Sequence, residues 1–252
     1  MATVTATQDP GVAPVPAAAL RVRRADARGQ ADFGWLTSAH SFSFGNYHDP
    51  AHMQFANLRV INDDHVSAGK GFGAHPHRDA EIFSYVVAGA LEHRDSLGNG
   101  SVVGAGGVQY MSAGRGVVHS EFNPSDTDPV RFLQVWLMPD QLGGEPRYDT
   151  LDIDPSDKDG KLALFLSRDG RNGSMRVQAQ ADVYAATLSG SQQITHTLAP
   201  GRAVWIQVVN GSVAVNDTPL RQGDGLAVSA PGSLTLHTGV SAEILLFDLE
   251  AA

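Results

Sequence analysis

The feature that most constrains the fold of this chain is a succession of short apolar runs separated by glycine-rich turns. Each run is rich in Val, Ile, Leu or aromatic residues and is bounded by Gly, Pro, Asn or Asp. Clear examples are 81–87 (EIFSYVV), 130–138 (VRFLQVWLM), 203–209 (AVWIQVV) and 243–249 (EILLFDL). No long segment shows the 3.6-residue period of an amphipathic helix. We therefore expect an all-β protein of barrels or sandwiches, with few short helices.

An internal repeat indicates that one β-unit occurs twice. Residues 86–91 (VVAGAL) match 208–213 (VVNGSV) at an offset of 122, and 106–112 (GGVQYMS) match 223–229 (GDGLAVS) at an offset of 117. The matches keep the same order, and a glycine turn and a second strand follow in each copy. The repeat therefore predicts two similar β-domains.

Two segments without a strand pattern set the predicted boundaries of these domains. Residues 1–18 carry almost no charge and contain three prolines, so we expect a flexible tail there. Residues 148–160 (YDTLDIDPSDKDG) are acidic and rich in turn formers, which predicts a linker. The two predicted domains are then 19–147 and 161–252.

The charge balance and the lack of cysteine exclude several classes of function. The formal net charge is −9, from 18 Lys+Arg and 27 Asp+Glu, which excludes a basic nucleic-acid footprint over the whole chain and disfavours anionic membranes. Without cysteine there is no disulfide, thiol nucleophile, iron–sulfur cluster or cysteine-bound zinc. No run of about 18 apolar residues and no secretory signal pattern is present. We expect a cytoplasmic protein without a membrane partner or direct nucleic-acid contact.

Two pairs of residues have the spacing of metal ligands on strands. His75 is followed two residues later by His77, and His119 is followed two residues later by Glu121. In a strand such residues point to one face, roughly 6.5 Å apart, so each pair can converge on one ion. Three imidazoles and a carboxylate suit a first-row divalent metal and do not suit Mg²⁺ or Ca²⁺. Four protein ligands leave two positions of an octahedral ion open, which is typical of a catalytic site.

The histidines also have plainer interpretations than metal binding. A single His-x-His on a strand is more often a surface feature than a metal site, and the second pair is what favours the metal. The other seven histidines lack such spacing and are interpreted as surface or hydrogen-bonded residues: His40, His48, His52, His65, His93, His196 and His237. Of these, only His40 is considered able to support a ligand through a hydrogen bond.

Several neighbours of these pairs also have plain interpretations. Four aromatic residues are interpreted as core, with a channel lining as the alternative for the two phenylalanines: Phe42, Phe44, Trp136 and Trp205. Three charged residues are interpreted as an exposed hairpin end with weak surface ion pairs: Glu92, Arg94 and Asp95.

The motifs around both pairs resemble those of a known family. Residues 69–89 resemble the first cupin motif, although Gly89 comes one residue late, and 116–123 resemble the second, although Gly114 stands where cupins have proline. The resemblance is narrower to the pirin family and extends from about Leu20 to Leu249. It is carried by WLTSAHSFSFGNYHDP (35–50), HPHR (75–78), EHRDSLGN (92–99), MSAGRGVVHSEF (111–122) and PRYDTL (146–151).

The resemblance implies a bicupin that holds one metal, in its N-terminal domain. The family's ligands fall on His75, His77, His119 and Glu121 of this chain, whereas the general cupin pattern would use Glu81 as the carboxylate. The choice of Glu121 rests on the match to the pirin family, and its place on the same strand face as His119 also favours it. Iron is the metal expected, with Mn, Ni, Cu and Zn as alternatives.

The repeat allows a check on the second domain. An offset of 122 carries the HPH histidines to Thr197 and Ala199, and an offset of 118 carries the other pair to His237 and Gly239. Three of the four ligand types are absent from these positions, so the C-terminal domain is predicted to hold no metal.

The activity that the resemblance implies is that of a quercetinase, a metal-dependent dioxygenase that opens the central ring of flavonols with O₂. The partners would be a phenolic small molecule and O₂, with Glu121 accepting the substrate's proton. One alternative is an iron-binding regulatory module, similar to eukaryotic pirins, which would need a protein partner. Another is a cupin enzyme that acts on a different small molecule.

Overall fold

The computed structural model describes residues 12–251, in which strands joined by short turns predominate. The predicted tail therefore lies mostly outside the described residues. The chain forms two compact units. We call residues 28–154 and 165–181 the central unit, and the described parts of 1–27, 155–164 and 182–252 the terminal unit, after their places in the sequence. No helix within the described range is long and apolar enough to cross a membrane.

The described residues contain twenty strands and one short α-helix, besides three short 3₁₀ turns. In chain order the strands are β1 Leu20–Arg23, β2 Gly29–Asp32, β3 Leu36–His40, β4 Leu58–Val66, β5 Gly71–His77, β6 Glu81–Ala88, β7 Ala90–Asp95, β8 Gly100–Gly104, β9 Gly107–Ser112, β10 Val117–Phe122, β11 Val130–Leu137, β12 Arg147–Asp152, β13 Ala163–Ser167, β14 Met175–Arg176, β15 Ala181–Leu188, β16 Ile194–Leu198, β17 Arg202–Val215, β18 Thr218–Arg221, β19 Gly225–Val228 and β20 Gly232–Glu250. The helix α1 spans Pro155–Lys158, and the 3₁₀ turns span Ala17–Ala19, Ala25–Ala27 and Arg171–Gly173. The expectation of an all-β chain with few short helices is confirmed.

A seven-stranded sheet of the central unit runs in the order β12-β9-β6-β11-β4-β3-β2. One register row crosses five of its strands and consists of polar residues alone. Successive neighbours in the row, from β9 to β3, are Gln109, Ser84, Gln134, Asn62 and His40. All five side chains are buried. Because buried polar groups need hydrogen-bond partners, such a row indicates a site rather than ordinary core packing.

A four-stranded sheet, ordered β5-β10-β7-β8, places the two histidine motifs side by side. On β10, His119 is paired with His75 of β5 on one side and with Asp95 of β7 on the other. The pairing of β10 with β5 shifts register between His119 and Glu121. Gly71 lets the two strands approach closely there, since a Cβ at this position would lie 2.2 Å from the Glu121 carbonyl oxygen.

The terminal unit is built from both ends of the described chain. Its sheet contains the path β1-β19-β17-β20-β15, with β16 on β20 and β18 on β17. Val15 is 3% exposed and packs in the apolar core of this unit, and its backbone N–H donates to the Ser233 carbonyl at 3.1 Å. Within the described part of the predicted tail, the chain thus already packs at Val15.

The predicted linker also contains regular structure. Residues 148–160 include most of β12 and all of α1. Lys158, at the end of that helix, is buried, and its Nζ lies 2.6 Å from Oε1 of Glu243. The segment is therefore part of both compact units and is not a separate tether.

The two copies of the sequence repeat share a backbone turn. The Gly106 N–H donates to the Val86 carbonyl at 2.8 Å, and the Gly223 N–H donates to the Val208 carbonyl at 2.9 Å. The two glycines have φ values of 85° and 84°, in the left-handed region where glycine is favoured. The repeat therefore corresponds to equivalent strand–turn geometry in the two units.

Candidate metal centre

Three imidazoles converge where β5 meets β10. The ring centroids of His75 and His77 are 4.8 Å apart. The ring centroid of His119 lies 4.5 Å from that of His75 and 4.9 Å from that of His77. One nitrogen from each ring lies within 4.8 Å of the others. The closest pair is Nε2 of His75 and Nε2 of His119, at 3.1 Å. The structure thus brings together the three histidines that the spacing singles out.

Glu121 lies two residues beyond His119 on the same buried face of β10. Its carboxylate is held by side chains of the polar row: Gln109 Nε2 donates to Oε1 at 2.5 Å, Ser84 Oγ donates to Oε1 at 3.1 Å, and Gln134 Nε2 donates to Oε2 at 2.8 Å. Burial raises the pKa of Glu121, and the hydrogen bonds oppose that rise. Glu121 reaches the imidazole cluster through His119, with which it shares a second compact group of ligand atoms.

The alternative carboxylate, Glu81, is engaged elsewhere. It accepts hydrogen bonds from the Tyr110 hydroxyl, from Ser112 Oγ at 2.6 Å and from the Gln178 backbone N–H at 3.0 Å. It belongs to neither compact group of histidines and carboxylates in the described part of the chain. This arrangement favours Glu121 as the carboxylate of the site.

A buried chain of hydrogen bonds leads away from the cluster behind His119. Nδ1 of His119 lies 3.3 Å from Nδ1 of His93, and Nε2 of His93 lies 3.3 Å from Oδ2 of Asp95. The His93 and Asp95 side chains are 1% and 0% exposed. Burial acts to raise the pKa of Asp95, but hydrogen bonds from Asn99, His93 and Leu97 outweigh it and hold that pKa below its usual value. Asp95 is therefore an ionised acceptor.

This chain determines which nitrogen of each ring carries a proton. Because the Asp95 carboxylate only accepts, His93 donates from Nε2, and its Nδ1 is left as an acceptor. His119 must then donate from Nδ1, which leaves a lone pair on its Nε2. On the other side, His75 uses Nδ1 to donate to the Gly73 carbonyl at 2.8 Å, which leaves a lone pair on its own Nε2.

Two lone pairs therefore face each other across 3.1 Å, an arrangement that repels unless a cation lies between or beside them. Burial first, and the neighbouring imidazoles second, lower the pKa of His119 to about 2 and that of His77 to about 4. The rings of His119 and His77 are therefore neutral near pH 7, as metal ligation requires. With a carboxylate beside them, the donor set fits a divalent first-row metal.

A cavity of about 640 Å³ opens onto His75, His77 and Glu121. Its volume lies in the range of small-molecule sites. Six of its side chains are aromatic: Phe33, Trp35, Phe44, Tyr47, Phe72 and Trp136. The rest of the wall includes five polar residues of the seven-stranded sheet: Ser38, His40, Asn62, Asp64 and Gln134. The Trp136 ring meets the His77 ring edge-on at 4.9 Å, so the aromatic wall extends to the histidine cluster.

The aromatic residues divide between core and cavity. Phe42 and Trp205 are buried in the core, as predicted. Phe44 lines the cavity, so the channel alternative applies to it. Trp136 packs against a buried apolar cluster, as the core interpretation expects, and also lines the cavity, which that interpretation did not include. The strand period predicts which residues share a face, but it does not distinguish a face that meets packed side chains from one that meets a cavity.

Sequence reasoning missed the position of His93 and misplaced Asp95. Glu92 and Arg94 form the expected exposed ion pair, with Arg94 Nε 2.8 Å from Glu92 Oε1. The alternate residues, His93 and Asp95, have side chains that are 1% and 0% exposed, so the interpretation of Asp95 as exposed is wrong. The i, i+2 spacing of His93 and Asp95 was the available signal, since it equals the spacing of the ligand pairs. His40, which could support a ligand, lies in the cavity wall with Nδ1 2.7 Å from Asn62 Oδ1.

Comparison with known proteins places the chain in a family. Residues 21–137 match the pirin family, and residues 164–249 match the quercetinase C-terminal cupin domain. Quercetin 2,3-dioxygenase of Escherichia coli K12 is 47% identical over 228 residues, which cover 90% of this chain and 97% of that protein. A putative quercetin 2,3-dioxygenase of Pseudomonas aeruginosa is 40% identical over 225 residues, which cover 89% of this chain and 97% of that protein.

Solved structures give the same result. The crystal structure of YhhW from Escherichia coli superposes with a TM-score of 0.89 at 45% identity, covering 92% of this chain and 98% of that one. The structure of the bacterial pirin YhhW in complex with nickel(II) superposes with a TM-score of 0.88 at 45% identity, covering 92% of this chain and all of that one. This chain belongs to the pirin family and has its all-β fold of two cupin-type domains.

Proposed function

We propose that this protein is a metal-dependent dioxygenase of the quercetinase type, which opens the central ring of flavonols with O₂. The observation that carries the proposal is that His119 joins two compact groups of ligand atoms, one with His75 and His77 and one with Glu121. His75, His77 and Glu121 also line an aromatic cavity of about 640 Å³. The relatives named quercetin 2,3-dioxygenase support the same activity.

The four clustered residues are proposed to hold one divalent metal. The structure of YhhW in complex with nickel(II) supports a divalent metal in this chain as well. The nitrogen and oxygen donors of this chain also suit Fe, the metal expected from the sequence, as well as Mn, Cu and Zn. When bound, the metal would act as a Lewis acid that lowers the pKa of a coordinated flavonol hydroxyl. Cellular supply would then decide between these ions.

Glu121 is proposed to accept the proton of that hydroxyl. Its Oε1 atom already accepts two hydrogen bonds, whereas Oε2 accepts only the bond from Gln134 among the described residues. One acceptor position, on Oε2, is therefore left, and the metal and the proton would have to use it in turn. The two glutamine amides keep the carboxylate in place while the proton moves.

The cavity walls are proposed to bind and orient a flat aromatic substrate. Trp136 and Phe44 meet edge to face, with ring centroids 5.6 Å apart, and Trp35 and Phe72 do so at 5.4 Å. Such walls favour planar rings and exclude water from the reacting end of the substrate. In the overall reaction, O₂ is consumed, both of its atoms enter the ring-opened product, and carbon monoxide is released.

The test is turnover by the purified protein loaded separately with Fe(II), Mn(II), Ni(II), Cu(II) and Zn(II). We expect at least one loaded form to bleach quercetin absorbance and to consume O₂ in a one-to-one ratio. His119→Ala should abolish both signals. His237→Ala is the matched control, because His237 is the repeat equivalent of His119 and bonds the Asn216 carbonyl at 2.7 Å.

If every loaded form leaves both quercetin and O₂ unchanged, the proposal is overturned. A metal-dependent protein partner without turnover would then support the regulatory alternative. Turnover of a different phenolic compound but not of flavonols would support another cupin activity.

A further inference from the structure

One buried carboxyl group in the cavity wall has no role in the proposed chemistry. Asp64, on β4, is 3% exposed and lines the same cavity as His75, His77 and Glu121. The side chain accepts a hydrogen bond from Ser38. Its Oδ1 atom is buried and has no hydrogen-bond partner among the described residues.

Strand alternation explains why Asp64 has no arginine beside it while its neighbour Asp63 has two. The preceding residue, Asp63, points to the opposite face of β4, where Arg131 donates to it at 2.9 and 3.1 Å and Arg28 lies 3.7 Å away. Asp64 faces the cavity instead, and no cation pairs with it within residues 12–251. The same strand thus carries one carboxylate neutralised by arginines and one that faces the cavity with a hydrogen bond from Ser38 and no cation beside it in the described part of the chain.

An unpaired buried carboxyl group is costly, since a buried polar atom without a partner loses the hydrogen bonds it had in water. Burial raises the pKa of Asp64 to about 7, and the nearby carboxylates of Asp63 and Glu121 act in the same direction against the Ser38 hydrogen bond. Fold stability would be better served by an apolar residue here. A carboxyl group kept at this position points to a donor supplied by the ligand.

The position of Asp64 indicates which part of a ligand it would meet. Asp64 is paired with Phe132, whereas Asn62 is paired with Gln134, whose amide holds Glu121. One strand spacing across the sheet and two residues along it separate Asp64 from Gln134, roughly 8 Å between backbones. A ligand with one end at Glu121 would therefore present its remote part to Asp64.

We propose that Asp64 determines substrate specificity by accepting a hydrogen bond on its carboxyl group from a phenolic hydroxyl remote from the reacting end. The substrate class is then a polyhydroxylated planar aromatic molecule. This inference rests on the proposed function for the identity of the reacting end, and on the orphaned Oδ1 for the recognition of the remote one.

The experiment compares quercetin with 3-hydroxyflavone, which keeps the reacting hydroxyl and lacks the others. The variants are Asp64→Ala, the isosteric Asp64→Asn, and Asp63→Asn as a control that removes a neighbouring carboxylate outside the cavity. Turnover is measured on metal-loaded protein, and binding of both compounds is measured without O₂ by absorbance titration.

For Asp64→Ala we expect kcat/KM for quercetin to fall at least about 10-fold, mainly through KM, and kcat/KM for 3-hydroxyflavone to stay within about 2-fold. For Asp64→Asn, kcat/KM for quercetin should lie between the values for Asp64→Ala and the wild type, because the amide oxygen can still accept a hydrogen bond. Asp63→Asn should leave the ratio of the two substrates unchanged.

Equal losses for both substrates, or no loss for either, would overturn the role of Asp64 while leaving the dioxygenase proposal intact. If wild-type protein turns over neither compound, the dioxygenase proposal fails, and the binding titration still decides about Asp64. The proposed role of Asp64 would be overturned if Asp64→Ala still bound quercetin in preference to 3-hydroxyflavone as the wild type does, or if the wild type did not bind quercetin.

Discussion

Nδ1 of His93 lies 3.3 Å from Nδ1 of His119, so a residue from β7 determines the protonation of a ring on β10. Through this contact Asp95, at the far end of the hydrogen-bond chain, directs the lone pair of His119 Nε2 towards His75. The carboxylate–histidine–ligand arrangement common around protein metals is here longer by one imidazole.

Replacement of Asp95 by asparagine should weaken metal binding. The turn should survive, because an amide oxygen can still accept from the backbone N–H groups of Leu97 and Asn99. The charge that fixes the His93 tautomer is lost, so we expect nickel affinity to fall about 10- to 100-fold. Competition with a chromogenic chelator measures the nickel affinity. Glu92→Gln, on the exposed face of the same strand, is the control. Wild-type affinity in Asp95→Asn would contradict the assignment of the tautomers.

Gly71→Ala should separate the two ligand strands. The added Cβ would lie 2.2 Å from the Glu121 carbonyl oxygen and 2.5 Å from Cα of Phe122, both backbone atoms that cannot turn aside. We expect a loss of about 1–3 kcal/mol in the free energy of unfolding, together with weaker metal binding. Gly73→Ala is the matched control on the same strand, since its Cβ would meet nothing within 4 Å. Equal behaviour of the two variants in denaturant titration and metal binding would refute this account.

Metal should stabilise the fold measurably. A ligand that binds only the folded state at 100 times its Kd adds about 2.7 kcal/mol to the free energy of unfolding. We therefore expect nickel to raise the thermal midpoint of the wild type and a chelator to reverse the rise. His75→Ala should lose most of the response, whereas His196→Ala, whose ring bonds Asp248 at 3.0 Å in the terminal unit, should keep it. A full response in His75→Ala would show that the stabilising ion is bound elsewhere.

The pH dependence of stability should carry a contribution from Asp64. Its pKa is about 7 in the folded protein and ordinary in the unfolded chain, so between about pH 4 and 7 the folded state retains a proton that the unfolded state has lost. Asp64 therefore costs stability progressively as pH rises through this window. In the presence of chelator, the thermal midpoint of Asp64→Asn relative to wild type should be higher at pH 8 than at pH 5. A difference that does not change with pH would count against the burial of an unpaired carboxyl group.

Much of this site could be predicted from the sequence because its ligands lie close together in the chain. The i, i+2 spacing alone brought His75 to His77 and His119 to Glu121, since a strand repeats every two residues. That the two pairs share one ion was a hypothesis from their equal spacing, and the pirin resemblance supported it. No local rule pairs the two strands, because β5 ends at His77 and β10 begins only at Val117.

The parts that were not predicted depend on which strands become neighbours. His93 reaches His119 only because β7 pairs with β10, and the polar row exists only because five strands align in one register. Asp63 and Asp64 are adjacent acids, and the sequence alone does not tell which of them faces arginines and which faces a cavity. For the same reason, the sequence did not show that Trp136 also lines the cavity.

The terminal unit takes its first strand from the beginning of the chain and that strand's partner from near the end. Leu20 of β1 pairs with Val228 of β19, 208 positions later. During synthesis, β1 leaves the ribosome long before β19 exists, and the whole central unit is made in the interval. The edge strand must stay unpaired until translation is nearly complete, so the last part of the molecule to fold should include the first strand made.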